Sequence, residues 1–479
     1  MKILLIYPPR ENYIFGVTPH VYIEADAGNY PPIGMLYIAS YLKNHSKNVG
    51  IKVLDACTEQ YTHEQVKGFI DKEKPDIVGI YFSTYYLNDG IIVAKSVKQL
   101  NAKTLVIAGG PHVMLYPEET IKLPEIDYVM AGEGEHSFTE LVECIAENRV
   151  SDISKISNIW SKKSNYSKPL TRGREEDIDS LPYPARELLS VNKYKSILAK
   201  RNPITTVITS RGCPFKCLFC SNIESGQKVR YRSAVNVVNE LQYLHNNYQI
   251  TDFLLFDELF TSNRQRAMDI CNEILRRGLK IRWHCRSRAD VLDKEMVVLM
   301  KKAGCRLIQF GIETGNPRLQ QLINKKLVLD EVRKTIAMVY DAGIYTYADF
   351  MFGLPTETEE ETKITLEYAK SLKLDYIAFG MFHPIPGSVF YQQGLDENKF
   401  TDFWREFVNN PTIPMEDHSW TRKDRTKFHD FMSYAYQSFY IRPSYMFSHL
   451  FRLDSFNQLV WQVKAAFRVF SQLILKRYK

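Results

Sequence analysis

Two tracts of this 479-residue chain alternate short, almost wholly apolar runs with amphipathic stretches, and that alternation fixes the class of fold before any single residue is weighed. Over residues 1–150 the apolar runs are "KILLIYPP", "IKVLDA", "DIVGIYFST", "TLVIAGGPH" and "DYVMAGEGE", separated by stretches such as "IGMLYIASYLKN" and "HSFTELVECIAEN". Runs so rich in Ile, Val and Leu are buried on both faces, which calls for a parallel sheet with helices on each side. Five such βα units predict a doubly wound α/β domain over 1–150. Residues 151–199 lack a period and read as a linker, with a rigid turn around Pro182 and Pro184.

From residue 200 the alternation resumes through "PITTVITSRGC", "DFLLFDE", "IRWHCRSR", "LIQFGIET", "TYADFMFGLP" and "YIAFGMFHPIPG". Six strands separated by five helices over 200–390 predict a partial (β/α)6 barrel, whose chemistry sits at the carboxyl ends of its strands. The polar oddities of the tract fall there: a cysteine group, Asp257 and Glu258, Arg286 and Arg288, Glu313 and Thr314. His284 reads as a satisfied core histidine. Glu357 and Glu359–Glu361 read as the acidic first turn of a helix with Thr358 as its cap, and carry no chemistry. Residues 391–479 predict a C-terminal helical domain. Its last stretch, 455–479, has Leu459, Val463, Phe467, Phe470 and Ile474 on one face, and either docks on the protein or lies in a membrane interface. In the second case an apolar or lipid-like substrate follows.

In the first domain, polar and glycine-rich segments follow the strands: Ser83 and Thr84, "AGGPH" with Gly109 and Gly110, and "AGEGE" with Gly132 and Glu133. Open α/β sheets bind ligands at that edge, so these residues outline a cofactor crevice; ordinary βα turn chemistry is the competing reading. Pro8 and Pro9 stand where a dinucleotide fingerprint would start, which counts against a dinucleotide.

The chain has 62 basic and 55 acidic residues without a basic arm, so nucleic acid is not an expected partner. No apolar stretch is long enough for a signal peptide or a membrane span, and the expected compartment is the cytoplasm. Of eight cysteines, Cys57, Cys144, Cys271, Cys285 and Cys305 stand singly, as small core residues would. Cys213, Cys217 and Cys220 in "RGCPFKCLFC" are the exception. A structural zinc wants a fourth ligand, and none lies at knuckle distance. Disulfides are disfavoured by compartment and by the odd number. A four-iron cluster with one open iron is the leading reading of the spacing, with zinc or a purely structural role as the alternative.

Cys213-x3-Cys217-x2-Cys220 on the loop after a barrel's first strand, followed in order by "FDELF", "RSR", "QFGIETG" and "MFGLPTET", resembles the radical S-adenosylmethionine (SAM) superfamily. The resemblance covers about residues 200–390. It implies a [4Fe-4S] cluster on the three cysteines, with SAM chelating the open iron. Phe219 then lies beside adenine, Glu258 takes the methionine ammonium, Arg288 in "RSR" takes the carboxylate, and Glu313 belongs to the fourth-strand motif. A doubly wound domain ahead of such a core is similar to the cobalamin-dependent subgroup, which includes class B methyltransferases and anaerobic cyclase-like enzymes. Cobalamin is then implied at Ser83, Thr84, Gly109, Gly110, Gly132 and Glu133. No Asp-x-His-x-x-Gly occurs, so no lower axial histidine is implied, and His112 does not fit that pattern.

The subgroup's chemistry implies reductive cleavage of SAM to a 5′-deoxyadenosyl radical, an electron donor such as flavodoxin or ferredoxin, and a small-molecule substrate. The first expectation is C-methylation of an unactivated carbon. Oxidative cyclisation, rearrangement or oxidoreduction is the second, and a non-catalytic iron–sulfur or zinc protein the third.

Overall fold

A computed structural model of the chain describes residues 1–12, 28–162, 177–196, 198–221, 228–411, 425–450 and 452. They fall into two compact units. The first comprises the described residues within 1–16, 31–193 and 391–417, and the second those within 17–30, 194–390 and 418–479.

The first unit is built on β1 (Lys2–Tyr7), β2 (Gly50–Asp55), β3 (Ile77–Tyr81), β4 (Leu105–Gly109), β5 (Tyr128–Met130) and β6 (Ile159–Ser161). They lie in the order β2-β1-β3-β4-β5-β6. The first five are parallel, as the apolar runs predict, and β6 is antiparallel to β5. Ile3, Leu5, Ile77 and Ile107 pack with Leu36, Ala39 and Leu42 of helix Ile33–His45 and Phe138, Leu141 and Val142 of helix Glu135–Ala146. The order reverses between β1 and β3, which makes that crevice the topological switch point.

Two expectations are corrected here. Residues 159–161, read as linker, form β6; three residues are too few to show a period. Residues 391–411, read as part of a separate C-terminal domain, belong to the first unit. Tyr116 and Tyr391 each donate a hydrogen bond to Asp402 Oδ1 at 2.8 Å, and Arg405 pairs with Glu119 at 2.7 Å.

The second unit carries β7 (Ile204–Val207), a two-residue antiparallel ladder of β8 (Ser210–Arg211) with β9 (Arg230–Tyr231), then β10 (Asp252–Leu255), β11 (Arg282–Ser287), β12 (Cys305–Glu313), β13 (Tyr345–Phe352) and β14 (Tyr376–Met381). Six of them form a parallel sheet in the sequential order β7-β10-β11-β12-β13-β14, the expected partial barrel. Most of the intervening helices start on short polar caps, at Ser233, Asn263, Asp293, Asn316 and Thr358, each accepting from a backbone N–H of the first turn, whereas helix Leu329–Asp341 starts at Val328 without a side-chain cap. Thr358 caps its helix as expected, and Glu361 completes a capping box with it.

The edge of β14 is covered by helix Arg425–Tyr440. The Tyr436 hydroxyl bonds both the N–H and the C=O of Phe379, and the Tyr440 hydroxyl bonds both groups of Ile377. Four helix residues span about 6 Å and two strand residues about 6.6 Å, so the two phenols fit alternate residues of the strand. Among the described residues no helix is long and apolar enough to cross a membrane. The amphipathic stretch 455–479 lies outside the described residues.

Candidate active site

β7 and the β8–β9 ladder bring Cys213, Cys217 and Cys220 onto a loop at the carboxyl edge of the second sheet, where none of the three is in a disulfide and all are half-buried. Asp257, fully buried just beyond β10, fixes the base of the loop. It accepts from Thr209 N–H (2.6 Å), Thr209 Oγ1 (2.5 Å), Ser210 N–H (3.0 Å) and Ser210 Oγ (2.7 Å). Arg266 adds a bond to the Thr209 carbonyl at 2.6 Å. On the far side the turn at Ile323–Asn324 holds the loop, through Leu218 N–H to Ile323 O (3.1 Å) and Asn324 Nδ2 to Lys216 O (2.8 Å). Phe219 is half-buried against Leu319, Ile323, Leu354, Phe382 and Phe390.

Charged groups crowd this loop. Glu313 stands at a register shift in β12 with a left-handed φ of +71°, and its Oε1 is 2.7 Å from Lys325 Nζ. An added Cβ on Gly311 would lie 2.4 Å from Glu313 Oε1 and 2.7 Å from Lys325 Nζ, so glycine makes room for the pair. Arg288 binds Asp290 with two bonds of 2.9 and 2.7 Å, donates to the Lys325 carbonyl at 3.0 Å, and lies 3.8 Å over the ring of Phe215. Arg288 is thus paired with Asp290, two residues along, and reaches the cysteine loop through Phe215. Glu258 is exposed. Burial pushes the Cys213 and Cys217 thiols up; Glu258 adds to this at Cys213, while Lys325 and Arg288 oppose it at Cys217. Glu258, Arg288, Glu313 and Phe219 thus gather around the cysteines.

The three cysteines fit a four-iron cluster. Each thiolate of such a cluster serves a different iron, so the sulfurs stand wider apart than the roughly 3.8 Å of two thiolates on one zinc. Among the described residues no three His, Cys, Asp or Glu side chains converge closely enough for a single ion.

Two further expectations change. His284 is buried, but its Nε2 has no hydrogen-bond partner among the described residues, and burial together with nearby Arg306 lowers its pKa to about 4. Cys57 is half-exposed rather than core, whereas Cys144, Cys271, Cys285 and Cys305 are buried as expected. Glu357 plays a local part: its Oε2 accepts from the N–H groups of Gly353 (2.5 Å) and Leu354 (2.8 Å), closing the turn after β13.

In the first unit, Ser83, Thr84, Gly109, Gly110, Gly132 and Glu133 are half-buried and follow β3, β4 and β5 at the carboxyl edge. Several answer to the protein itself. Thr84 Oγ1 is 3.2 Å from Nδ1 of the buried His112, whose pKa burial lowers to about 3. Gly110 has φ +107°, and a Cβ there would sit 2.7 Å from the Phe82 carbonyl oxygen. Gly110→Ala is expected to destabilise the first unit by about 1–3 kcal/mol; urea unfolding of the full chain checks this, and an unchanged midpoint would count against it.

At the switch point itself Tyr7 stacks on Tyr81 at 4.8 Å, Tyr86 stands 6.4 Å from Tyr7, and Arg10 lies 4.9 Å over Tyr86. The sequence reading missed this group, although Tyr7 ends β1 and Tyr81 ends β3. It also missed buried Asp89, which accepts from Asn12 N–H (3.0 Å) and lies 2.8 Å from His63 Nε2, pinning the loop after β1.

Comparison with known proteins gives the following. The radical SAM superfamily pattern matches residues 207–369, and the B12 binding domain pattern residues 19–142. An uncharacterized methyltransferase of Pyrococcus horikoshii is 34% identical over 460 residues, spanning 95% of this chain and 96% of that protein. The anaerobic magnesium-protoporphyrin IX monomethyl ester cyclase of Rubrivivax gelatinosus is 29% identical, over 93% of this chain and 78% of that protein. Among solved structures, the radical SAM methyltransferase TsrM of Kitasatospora setae, with cobalamin and a [4Fe-4S] cluster bound, superposes with a TM-score of 0.66 at 17% identity, over 83% of this chain and 75% of that one.

Proposed function

The chain belongs to the radical SAM enzymes that carry a B12-binding domain, and on that premise we propose that it methylates an unactivated carbon of a small-molecule substrate. Its cofactors are a [4Fe-4S] cluster, SAM and cobalamin. The observation that carries the methyl-transfer reading is the 34% identity to a methyltransferase across nearly the whole of both chains.

When bound, the cluster and SAM supply a carbon-centred radical that takes hydrogen from an unactivated carbon, and cobalamin supplies the methyl group. The chain's own residues do the positioning. Cys213, Cys217 and Cys220 would ligate three irons of the cluster, while Asp257 and Arg266 on one side and the Ile323–Asn324 turn on the other hold their loop still. Phe219, Glu258 and Glu313 are the proposed SAM contacts around that loop. Arg288 is proposed to act there with its guanidinium already oriented by Asp290. Such rigidity matters because a carbon radical has to meet its target before it meets anything else. In the first unit we place cobalamin at the carboxyl edge, against Ser83, Thr84, Gly109, Gly110, Gly132 and Glu133, with the Tyr7–Tyr81–Tyr86 group lining the switch point. A flavodoxin or ferredoxin as reductant and a cytoplasmic setting complete the proposal. Membrane contact through 455–479, and with it a lipid-like substrate, is tested by vesicle flotation of the chain with and without that stretch; equal non-binding rejects it.

The decisive experiment is anaerobic reconstitution with iron, sulfide and cobalamin, followed by product analysis with SAM and dithionite. Methyl transfer is expected to yield both 5′-deoxyadenosine and S-adenosylhomocysteine. The cyclase relative motivates a second reading, cyclisation or oxidoreduction, which gives 5′-deoxyadenosine alone. Neither product would overturn both.

A further inference from the structure

Exposure alternates along the last three strands of the second sheet. On β13, Thr346, Ala348, Phe350 and Phe352 are buried, while Tyr347, Asp349 and Met351 are only half-buried on the opposite face. On β14, Ile377, Phe379 and Met381 are buried and Tyr376, Ala378 and Gly380 are not. Gln309 and Gly311 of β12 continue the partly open set. A parallel sheet covered on both faces would show no such alternation, so this face borders open space. The space has room: a Cβ added to Gly380 would meet nothing nearer than the Phe350 carbonyl at 3.9 Å.

The strand register sets a polar row across that face. Arg286, Gln309, Tyr347 and Tyr376 stand opposite one another on β11 to β14, and Gly311, Asp349 and Ala378 form the next row toward the carboxyl ends. Arg232, Arg266, Arg282, Arg288, Arg306 and Arg318 of this unit are each tied by hydrogen bonds. Arg286 differs. Its guanidinium lies 4.8 Å over the ring of Phe256 and makes no hydrogen bond or ion pair with another described residue. Asp349 does not neutralise it at contact distance: Asp349 Oδ2 accepts from Gln309 Nε2 at 2.7 Å, and burial with the charge of Glu313 pushes its pKa up to about 7.

We propose that this face is the substrate pocket and that Arg286, flanked by Tyr347 and Asp349, receives an oxyanion carried by the substrate, a carboxylate or a phosphoryl group. The inference rests on the radical SAM reading above and deepens it by naming a substrate class. Arg286 lies on β11 two residues before Arg288, which follows the strand, so its backbone is set back about 6.6 Å from that of the arginine that touches the cysteine loop.

The test uses the anaerobically reconstituted holoenzyme with SAM bound, titrated calorimetrically with benzoate, phenylphosphonate and benzamide. Wild type is expected to bind one or both anions at least about tenfold more tightly than the amide, and the preferred anion tells carboxylate from phosphoryl. Arg286→Met is expected to lose that tenfold preference and Arg286→Lys to recover part of it, with the affinity for SAM unchanged in both. Anion binding that survives Arg286→Met, no preference over benzamide, or no anion binding to wild type overturns the proposal. So does a tenfold loss of SAM affinity in Arg286→Met, which would make Arg286 the partner of SAM's own carboxylate. Absence of 5′-deoxyadenosine from the wild type strikes the radical reading instead, so the two failures are distinguishable.

Discussion

Alanine at any one of Cys213, Cys217 and Cys220 is expected to take 5′-deoxyadenosine formation from SAM down to assay background and to remove most of the iron from the reconstituted protein. The reason is that these three thiolates are all the loop offers to the proposed cluster, and each would serve its own iron. Folding should survive. None of the three is in a disulfide and each is half-exposed, so unfolding midpoints should move by no more than the roughly 1 kcal/mol of an ordinary small-side-chain change. Cys144→Ala, in the core of the first unit, is the control: it removes a buried thiol and should keep iron and turnover. Iron analysis, the cluster's electron paramagnetic signal and product chromatography read the outcome. A single cysteine variant that still cleaves SAM at the wild-type rate would end the cluster assignment.

Asp257→Ala is expected to do comparable damage by a different route. The carboxylate accepts four hydrogen bonds from Thr209 and Ser210, and Arg266 Nη2 lies 3.8 Å away. Removing it strands two amide N–H groups and two hydroxyls in the interior and leaves a buried guanidinium short of its counter-charge. Breaking one side of such a buried network costs about 3–5 kcal/mol, a large part of the roughly 5–15 kcal/mol that holds a domain together. Low iron content and a broadened or early unfolding transition of the second unit are expected. Asp257→Asn, which keeps one acceptor and lets the hydroxyls reverse, should fold and bind iron while shifting the cluster's paramagnetic signal or midpoint potential. Full iron content and an unchanged midpoint in Asp257→Ala would show that the loop's base is set elsewhere.

Both variants bear on what the sequence could reveal. Parallel sheets were legible because burial on two faces forces continuous Ile, Val and Leu, and the cysteine trio because three close thiols have few uses. Asp257 was visible only as one of the polar residues at the strand ends. Its task depends on two residues 47 and 48 positions earlier, a pairing that no local periodicity encodes. The same holds for Asp402, which gathers Tyr116 from 286 residues away and so draws the segment after β14 back to the first unit. β6 and the β8–β9 ladder escaped because two or three residues carry no period. Arg288 was assigned to SAM's carboxylate through the resemblance of "RSR", and its bond to Asp290, two residues along, emerged only in the structure. Asp349 and Arg286 needed the register of three strands before they could be placed on one face.

The two phenols along β14 bear on the protein's behaviour in a crowded solution. A sheet that stops at six strands leaves a row of unpaired amide and carbonyl groups, the ordinary template on which another chain polymerises. Here a newcomer strand would first have to peel Tyr436 and Tyr440 away, giving up both bonds that each makes to a single residue. On the β14 side the barrel can stay unclosed without being sticky, and no seventh strand is needed to guard that edge.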